Sequence, residues 1–231
     1  MTARVWITRA RPGAERTAER LHRLGLTPLI EPLLVVEALS PALPDLDRYQ
    51  GLVFTSPNGV EAFAALTPRR DLAVFAVGDA TAQAAESAGF GAVRSAAGDL
   101  TDLARLIAAG SNEGPLLAAL AETPAGDLAE AVRKAGGTTE IDILTVYRTV
   151  AADFVPPPDF DAILVHSPRA GRLLATLDPT ILAQSAIACI SAAAAAPLSA
   201  LGLHPTVSEA PNEPALIAGL QEALGKRERP V

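Results

Sequence analysis

The chain has 231 residues, 49% of them hydrophobic, with a formal net charge of −7 and a pI near 5.0. That is apolar material for two domains of roughly 110 residues or one large one. The acidic balance, with Lys226-Arg227-Glu228-Arg229 as the one basic cluster, excludes a duplex-binding face, and that tail reads as a solvated terminus. A single cysteine, Cys189, excludes an internal disulfide framework and a cysteine metal site, and reads as a small buried apolar residue. Arginines at positions 4, 9 and 11, without an apolar run, predict no signal peptide and hence a cytoplasmic location.

Arg4–Thr8 predicts a short strand, Thr8–Gly13 a loop, and Ala14–Leu24 an amphipathic helix closed by Gly25. Thr27–Leu39 reads as extended, broken by Pro28 and Pro32, and Pro41–Tyr49 as a linker. Gly51–Thr55 predicts a buried strand that turns at Ser56-Pro57 into a helix over Asn58–Leu66. The serine oxygen accepts from free N–H groups of the first turn, and proline loses nothing at the first helical position. Strand Leu72–Val77 leads through Gly78-Asp79 into helix Ala80–Ala88, closed by Gly89. A short strand at Ala92–Arg94, a helix over Leu100–Ala109, a strand over Pro115–Leu120 and a helix over Asp127–Lys134 follow. Thr138–Val150 alternates polar and apolar residues, as a half-exposed strand or connector does, and Phe154–Asp159 is a Pro-rich linker. Pro179–Ser208 is apolar enough to suggest a membrane span, but Gln184, Ser185, Ser191, Pro197 and His204 interrupt it. It reads as a loop, a strand over Ile187–Ile190, an Ala-rich helix and a stop at Gly202.

Ile163–Leu177 repeats the pattern of Leu52–Leu66, and Ser167-Pro168 falls 111 residues after Ser56-Pro57. At a similar offset Gly25 aligns with Gly136, Val77–Thr81 with Ile190–Ala194, and Gly89-Phe90 with Gly202-Leu203. An internal duplication of one α/β unit is expected. Strands alternating with helices argue for doubly wound parallel sheets, whose ligands sit beyond the carboxyl ends of the strands.

The chain contains no G-x-G-x-x-G, Walker loop, H-E-x-x-H or G-x-S-x-G. Its three histidines, His22, His166 and His204, are scattered. His166 aligns with Thr55 at a strand end and reads as a lining residue sooner than a catalytic base. What recurs is the strand-to-helix turn with small polar residues. Helix N-termini carry unpaired N–H groups and partial positive charge, so several around a cleft bind an anion without many lysines. Any one of Ser56, Ser167 or Asp79 alone is an ordinary cap; the set, present in both halves, favours an anion-binding cleft between two domains.

In order along the chain stand I-T-R-A-R-P-G, E-P-L-L-V-V, F-T-S-P-N-G-V, A-V-G-D-A-T-A, T-V-Y-R-T, H-S-P-R-A and A-P-N-E-P-A-L-I. In that order and spacing the chain resembles the uroporphyrinogen-III synthase family. The resemblance implies two Rossmann-like domains of doubly wound, flavodoxin-like type joined by a two-stranded β connector. Residues 1–35 would pack with 150–231, residues 40–145 would form an inserted domain, and 35–39 and 144–149 would be the connectors. It implies cyclisation of hydroxymethylbilane with loss of water and inversion of the last ring, without cofactor or metal, by a cytoplasmic monomer following hydroxymethylbilane synthase. No nucleic-acid or membrane partner is expected. Tyr147 is the implied aid to hydroxyl departure. Thr8, Arg9, Ser56, Asn58, Gly78, Thr81, Ser167, Arg169 and Ser191 are the expected substrate-binding residues. Two departures stand out: Ala194 replaces the threonine expected in the second-half turn, and Leu120-Ala121-Glu122-Thr123 replaces a turn that contains Gly or Arg in many relatives. The competing reading is a non-catalytic anion-binding or regulatory protein built on the same fold.

Overall fold

A computed structural model describes residues 2–110 and 114–227 as a mixed α/β protein with parallel sheets. The chain divides into two compact units, residues 1–35 with 150–231 and residues 36–149. The first contains β1 (Arg4–Ile7), α1 (Gly13–Arg23) and β2 (Thr27–Ile30). The chain then runs through β3 (Leu34–Ala38), β4 (Gly51–Phe54), α2 (Pro57–Leu66), β5 (Ala73–Ala76), α3 (Asp79–Ser87), β6 (Val93–Ser95), α4 (Leu100–Ala108), β7 (Leu116–Ala121), α5 (Leu128–Lys134) and β8 (Ile141–Ala151). It returns with β9 (Ala162–Val165), α6 (Pro168–Leu174), α7 (Pro179–Ala183), β10 (Ala186–Cys189), α8 (Ala192–Ser199), β11 (Thr206–Val207) and α9 (Glu213–Arg227).

The first unit has the strand order β11-β10-β9-β1-β2, with every neighbouring pair parallel. Its central strands β9 and β10 are buried at every residue, as expected where helices cover both faces of a sheet. Successive side chains of β1 alternate between two cores. Val5 and Ile7 pack with Leu21 of α1 and Leu216 and Leu220 of α9. Trp6 turns the other way, among Leu174 of α6 and Leu198 of α8. Its ring lies 5.2 Å from Phe160, and its Nε1 donates to the Glu31 carbonyl at 2.7 Å.

The second unit has the order β3-β8-β7-β4-β5-β6, and the pairs from β8 to β6 are parallel. Leu52 and Phe54 face Val60 and Phe63 of α2 and Phe90, while Val53 faces Leu103 and Ile107 of α4 and Val132 of α5. The helix starts follow the expected chemistry. Ser56 accepts from Gly59 N–H, Ser167 from Ala170 N–H and Ser191 from Ala194 N–H, and Asp99 forms a reciprocal cap with Asp102.

Strand order reverses in each unit. The chain leaves β1 towards β2 and later builds β10 and β11 on the far side of β9, so the reversal lies between β1 and β9. In the second unit it lies between β4 and β7. These are the positions where open parallel sheets bind ligands, beyond the carboxyl ends of the strands.

The apolar run from Pro179 differs from its reading as a loop. Asp178 accepts from both the N–H and the hydroxyl of Thr180, and with Pro179 in the first turn it starts the short helix α7. Among the described residues no helix is long and apolar enough to cross a membrane. The basic tail runs past the described residues: α9 ends at Arg227, and Glu228 and Arg229 lie outside them.

Helix α6 approaches α8 closely because residue 171 is glycine. A Cβ placed there would stand 2.2 Å from the Ala194 carbonyl oxygen. Gly171→Ala should therefore destabilise the protein by about 1–3 kcal/mol through overpacking. This would be read as a lower denaturant midpoint at unchanged slope. Gly225→Ala in α9, where an added Cβ meets nothing within 4 Å, should be neutral or slightly stabilising, since alanine is the better helix former.

Candidate active site

At the reversal point of the second unit lies a cavity of about 350 Å³. Thr55 and Ser56 line it from the turn after β4, Leu120 and Ala121 from the end of β7, and Tyr147 and Thr149 from β8. The loop Thr123–Gly126 closes one side. Leu120, Ala121 and Thr123 are therefore part of the wall.

Tyr147 and Ser56 meet in this cavity, Oη to Oγ at 2.8 Å. Ser56 Oγ also accepts from the Gly59 N–H at 3.2 Å, so the first turn of α2 holds it in place. Gly59 itself lies close to β7: a Cβ there would be 2.8 Å from the Ala119 carbonyl oxygen. That closeness seats the start of α2 against the end of β7. Tyr147 points inward because the strand pairing slips. Leu120 opposes Thr145, but Ala121 opposes Tyr147, skipping one residue. Tyr147 consequently joins the same core cluster as Leu144 and Val146, which simple alternation does not allow. A bulge of this kind re-aims side chains beside functional sites.

The other expected residues of this unit lie at helix starts along the same edge. Asn58 is in the first turn of α2; Gly78 caps α3, and Thr81, 3% exposed, lies in its first turn. The Thr81 N–H is already bonded to the Gly78 carbonyl at 3.0 Å.

The first unit holds a charged cluster at its own reversal point. Arg9 follows β1, His166 follows β9, and Glu213 starts α9. Glu213 Oε2 accepts from Arg9 Nη1 at 3.0 Å and from His166 Nε2 at 3.2 Å, while Oε1 accepts from the Thr17 hydroxyl of α1. An ionised carboxylate only accepts, so the proton of neutral His166 sits on Nε2. Burial would raise the Glu213 pKa, but the hydrogen bond of His166, its charge once acid has protonated it, the Thr17 hydroxyl and the Arg9 charge outweigh it and hold the group down at about 2. Burial lowers the His166 pKa against the pull of Glu213, and burial also lowers that of Arg9.

Thr8, expected to touch ligand, is fully buried, and its hydroxyl donates to the Leu164 carbonyl at 2.6 Å. That bond ties β1 to β9. Ser167 and Ser191 cap α6 and α8, and Arg169 is an exposed residue in the first turn of α6. Glu213 and Thr17 were not singled out in the sequence. Glu213 lies in the quoted A-P-N-E-P-A-L-I stretch, but its partner Arg9 is 204 residues away, and no local pattern announces such a pairing.

A family model described as uroporphyrinogen-III synthase HemD matches residues 15–218. The chain belongs to that family. Uroporphyrinogen-III synthases are cyclising lyases of heme biosynthesis. The uroporphyrinogen-III synthetase of Helicobacter pylori has a similar structure, with TM-score 0.66 and 16% identity over 99% of this chain and 100% of that one. A mutant uroporphyrinogen III synthase from the extremely thermophilic bacterium Thermus thermophilus gives TM-score 0.51 and 20% identity over 97% of this chain and 100% of that one. At these identities the two likenesses speak to the fold. A comparison with curated proteins finds no match.

Acid should destabilise the Glu213 cluster in two stages. His166 is held neutral, so the unfolded chain takes up a proton below about pH 6.5 that the folded chain resists, and stability falls with pH from there. The depressed Glu213 contributes stability present above about pH 4.5, its unfolded value, and lost as pH falls towards 2. Melting temperature measured from neutral pH down to about pH 3 should fall throughout, and Glu213→Gln should flatten the lower part of the decline.

Proposed function

We propose that this protein closes hydroxymethylbilane to uroporphyrinogen III, with loss of water and inversion of ring D, and that the cavity around Tyr147 and Ser56 is where the hydroxyl leaves. The observation that carries this reading is the 2.8 Å bond between Tyr147 Oη and Ser56 Oγ inside a cavity at the strand ends, in a chain of the synthase family. The reading includes two Rossmann-like domains arisen by duplication, residues 1–35 with 150–231 and residues 40–145, linked by connectors at 35–39 and 144–149. The repeated strand–Ser-Pro–helix turns of β4–α2 and β9–α6 support the duplication. The adjacency of β3 and β8 supports a two-stranded connector. A cytoplasmic monomer that receives its substrate from hydroxymethylbilane synthase belongs to the same reading.

The chemistry asks little of the protein beyond geometry. Electron density from a pyrrole nitrogen expels the hydroxyl and leaves an azafulvene, which is attacked to give a spiro pyrrolenine and then re-closes with one ring inverted. In the productive arrangement Ser56, fixed by the Gly59 N–H, donates its proton to Tyr147 Oη. The phenol O–H is then directed at the departing oxygen, which leaves as water. The proton released when the final pyrrole regains aromaticity restores the phenol. General acid assistance of this kind contributes about 10²–10⁴-fold; holding a flexible polyanion bent for closure contributes the larger part. Substrate carboxylates are received by Asn58, Gly78 and Thr81 at the helix starts of the second unit, and by Arg9, Ser167 and Arg169 in the first.

The test generates hydroxymethylbilane in situ, adds the protein, oxidises the products and separates type I from type III uroporphyrin. A large excess of type III is expected. Tyr147→Phe should lower kcat about 100-fold, and Thr81→Ala should raise KM about 10-fold for the loss of one hydrogen bond to a carboxylate. Type I alone, the product of spontaneous closure, would overturn the reading.

A further inference from the structure

The two units meet an anion with different equipment. In the second, the first turn of α3 begins at Gly78 and carries Thr81. The corresponding turn of the first unit, the start of α8, is built the same way but carries Ala194 where α3 carries Thr81, so it lacks that hydroxyl. Ala194 is fully buried and its carbonyl lies against Gly171 of α6, and the Ser191 hydroxyl accepts from the Ala194 N–H. A carboxylate reaching the strand ends of this unit finds its positive charge elsewhere, on Arg9, whose side chain is 34% exposed.

Arg9 is not a loose surface cation. One nitrogen, Nη1, is bonded to Glu213 at 3.0 Å. Nε and Nη2 lie against the first turn of α1, where a Cβ on Gly13 would come within 2.5 Å and 2.7 Å of them. Glu213 is itself anchored from two further directions, by Thr17 of α1 and His166 after β9. Its side chain is only 12% exposed. The guanidinium is thus clamped between a glycine and a buried carboxylate while about a third of the side chain stays exposed.

We propose that Glu213 is a positioning residue for substrate binding: it fixes the Arg9 guanidinium so that its exposed part takes a substrate carboxylate, in place of the hydroxyl that the first turn of α8 lacks. This rests on the synthase reading above. A free arginine loses rotamer entropy when it captures an anion, whereas one already held in its binding geometry does not. A guanidinium charge held in place also offers a carboxylate a charge-assisted hydrogen bond.

The alternative role for Glu213, a counter-charge that merely neutralises Arg9, predicts the opposite sign. Removing a neutralising carboxylate would free Arg9 and tighten binding of a polyanion. Removing a positioning one loosens it. The experiment measures KM and kcat for hydroxymethylbilane, with type III product as the readout, for wild type, Glu213→Gln, Arg9→Ala and the double variant. Glu213→Gln should raise KM about 10-fold with kcat within about twofold. In the Arg9→Ala background the same change should add less than about twofold, because the two residues act as one. Should Glu213→Gln fail to fold, Glu213→Asp keeps the charge at the helix start but withdraws it by one methylene, and it should raise KM in the same coupled way. An unchanged or lower KM, or an effect that persists undiminished without Arg9, overturns the positioning role alone. Type I product alone from wild type overturns the synthase reading and this inference with it.

Discussion

Strands covered by helices on both faces constrain everything else here. β9 and β10, and all but the last residue of β7, are buried throughout. A polar side chain on such a strand needs a partner inside the protein, as Thr8 beyond β1 finds at Leu164. Reactive groups are therefore displaced to the ends, and because the strands run parallel, every crossover delivers a helix N-terminus to the same edge. Tyr147 is the exception: it lies within a strand and reaches that edge because β8 breaks register beside it.

Most of the architecture was legible because parallel α/β units advertise themselves. Ser-Pro turns after apolar runs marked the starts of α2 and α6, and glycines in the left-handed region, such as Gly25 at φ +74°, marked helix ends. The short helix α7 was missed although Asp178-Pro179 is a start signal, because the surrounding apolar run drew the reading towards other elements. The candidate site was legible in part. Ser56 and Tyr147 were each picked out for separate reasons, one as a cap and one by resemblance, and nothing local showed that they touch. The alternation read in Thr138–Val150 fails at Val146-Tyr147, and that failure sits at the candidate site, where local rules are most often broken. Thr8 illustrates a different ambiguity: a hydroxyl at a strand end reads equally well as a ligand contact or as a tie to the neighbouring strand, and the structure shows its bond to the Leu164 carbonyl. That bond follows from the pairing of β1 with β9, which the sequence does not carry.

The two strand-end sites differ in electrical character. Around Tyr147 the groups are hydroxyls and an apolar wall, which suits a proton delivered to a neutral leaving group. Around Glu213 there are full charges, partly withdrawn from water and mutually compensated. Buried charge is retained only with several partners, and Glu213 has three: Arg9, His166 and Thr17. Removing one member leaves the others with an uncompensated desolvation cost, so the cluster ties β1, β9, α1 and α9 together through interactions that are hard to trim singly.

The contact between Gly171 and Ala194 links two positions that are distant in sequence into a single unit of substitution. The carbonyl of one helix occupies the space where the other would carry a Cβ. Bulk can be introduced at residue 171 only if the helices separate. The start of α8 is therefore free to change at the exposed Ala192 and Ala193, while its seat against α6 is held by the absence of a side chain at residue 171.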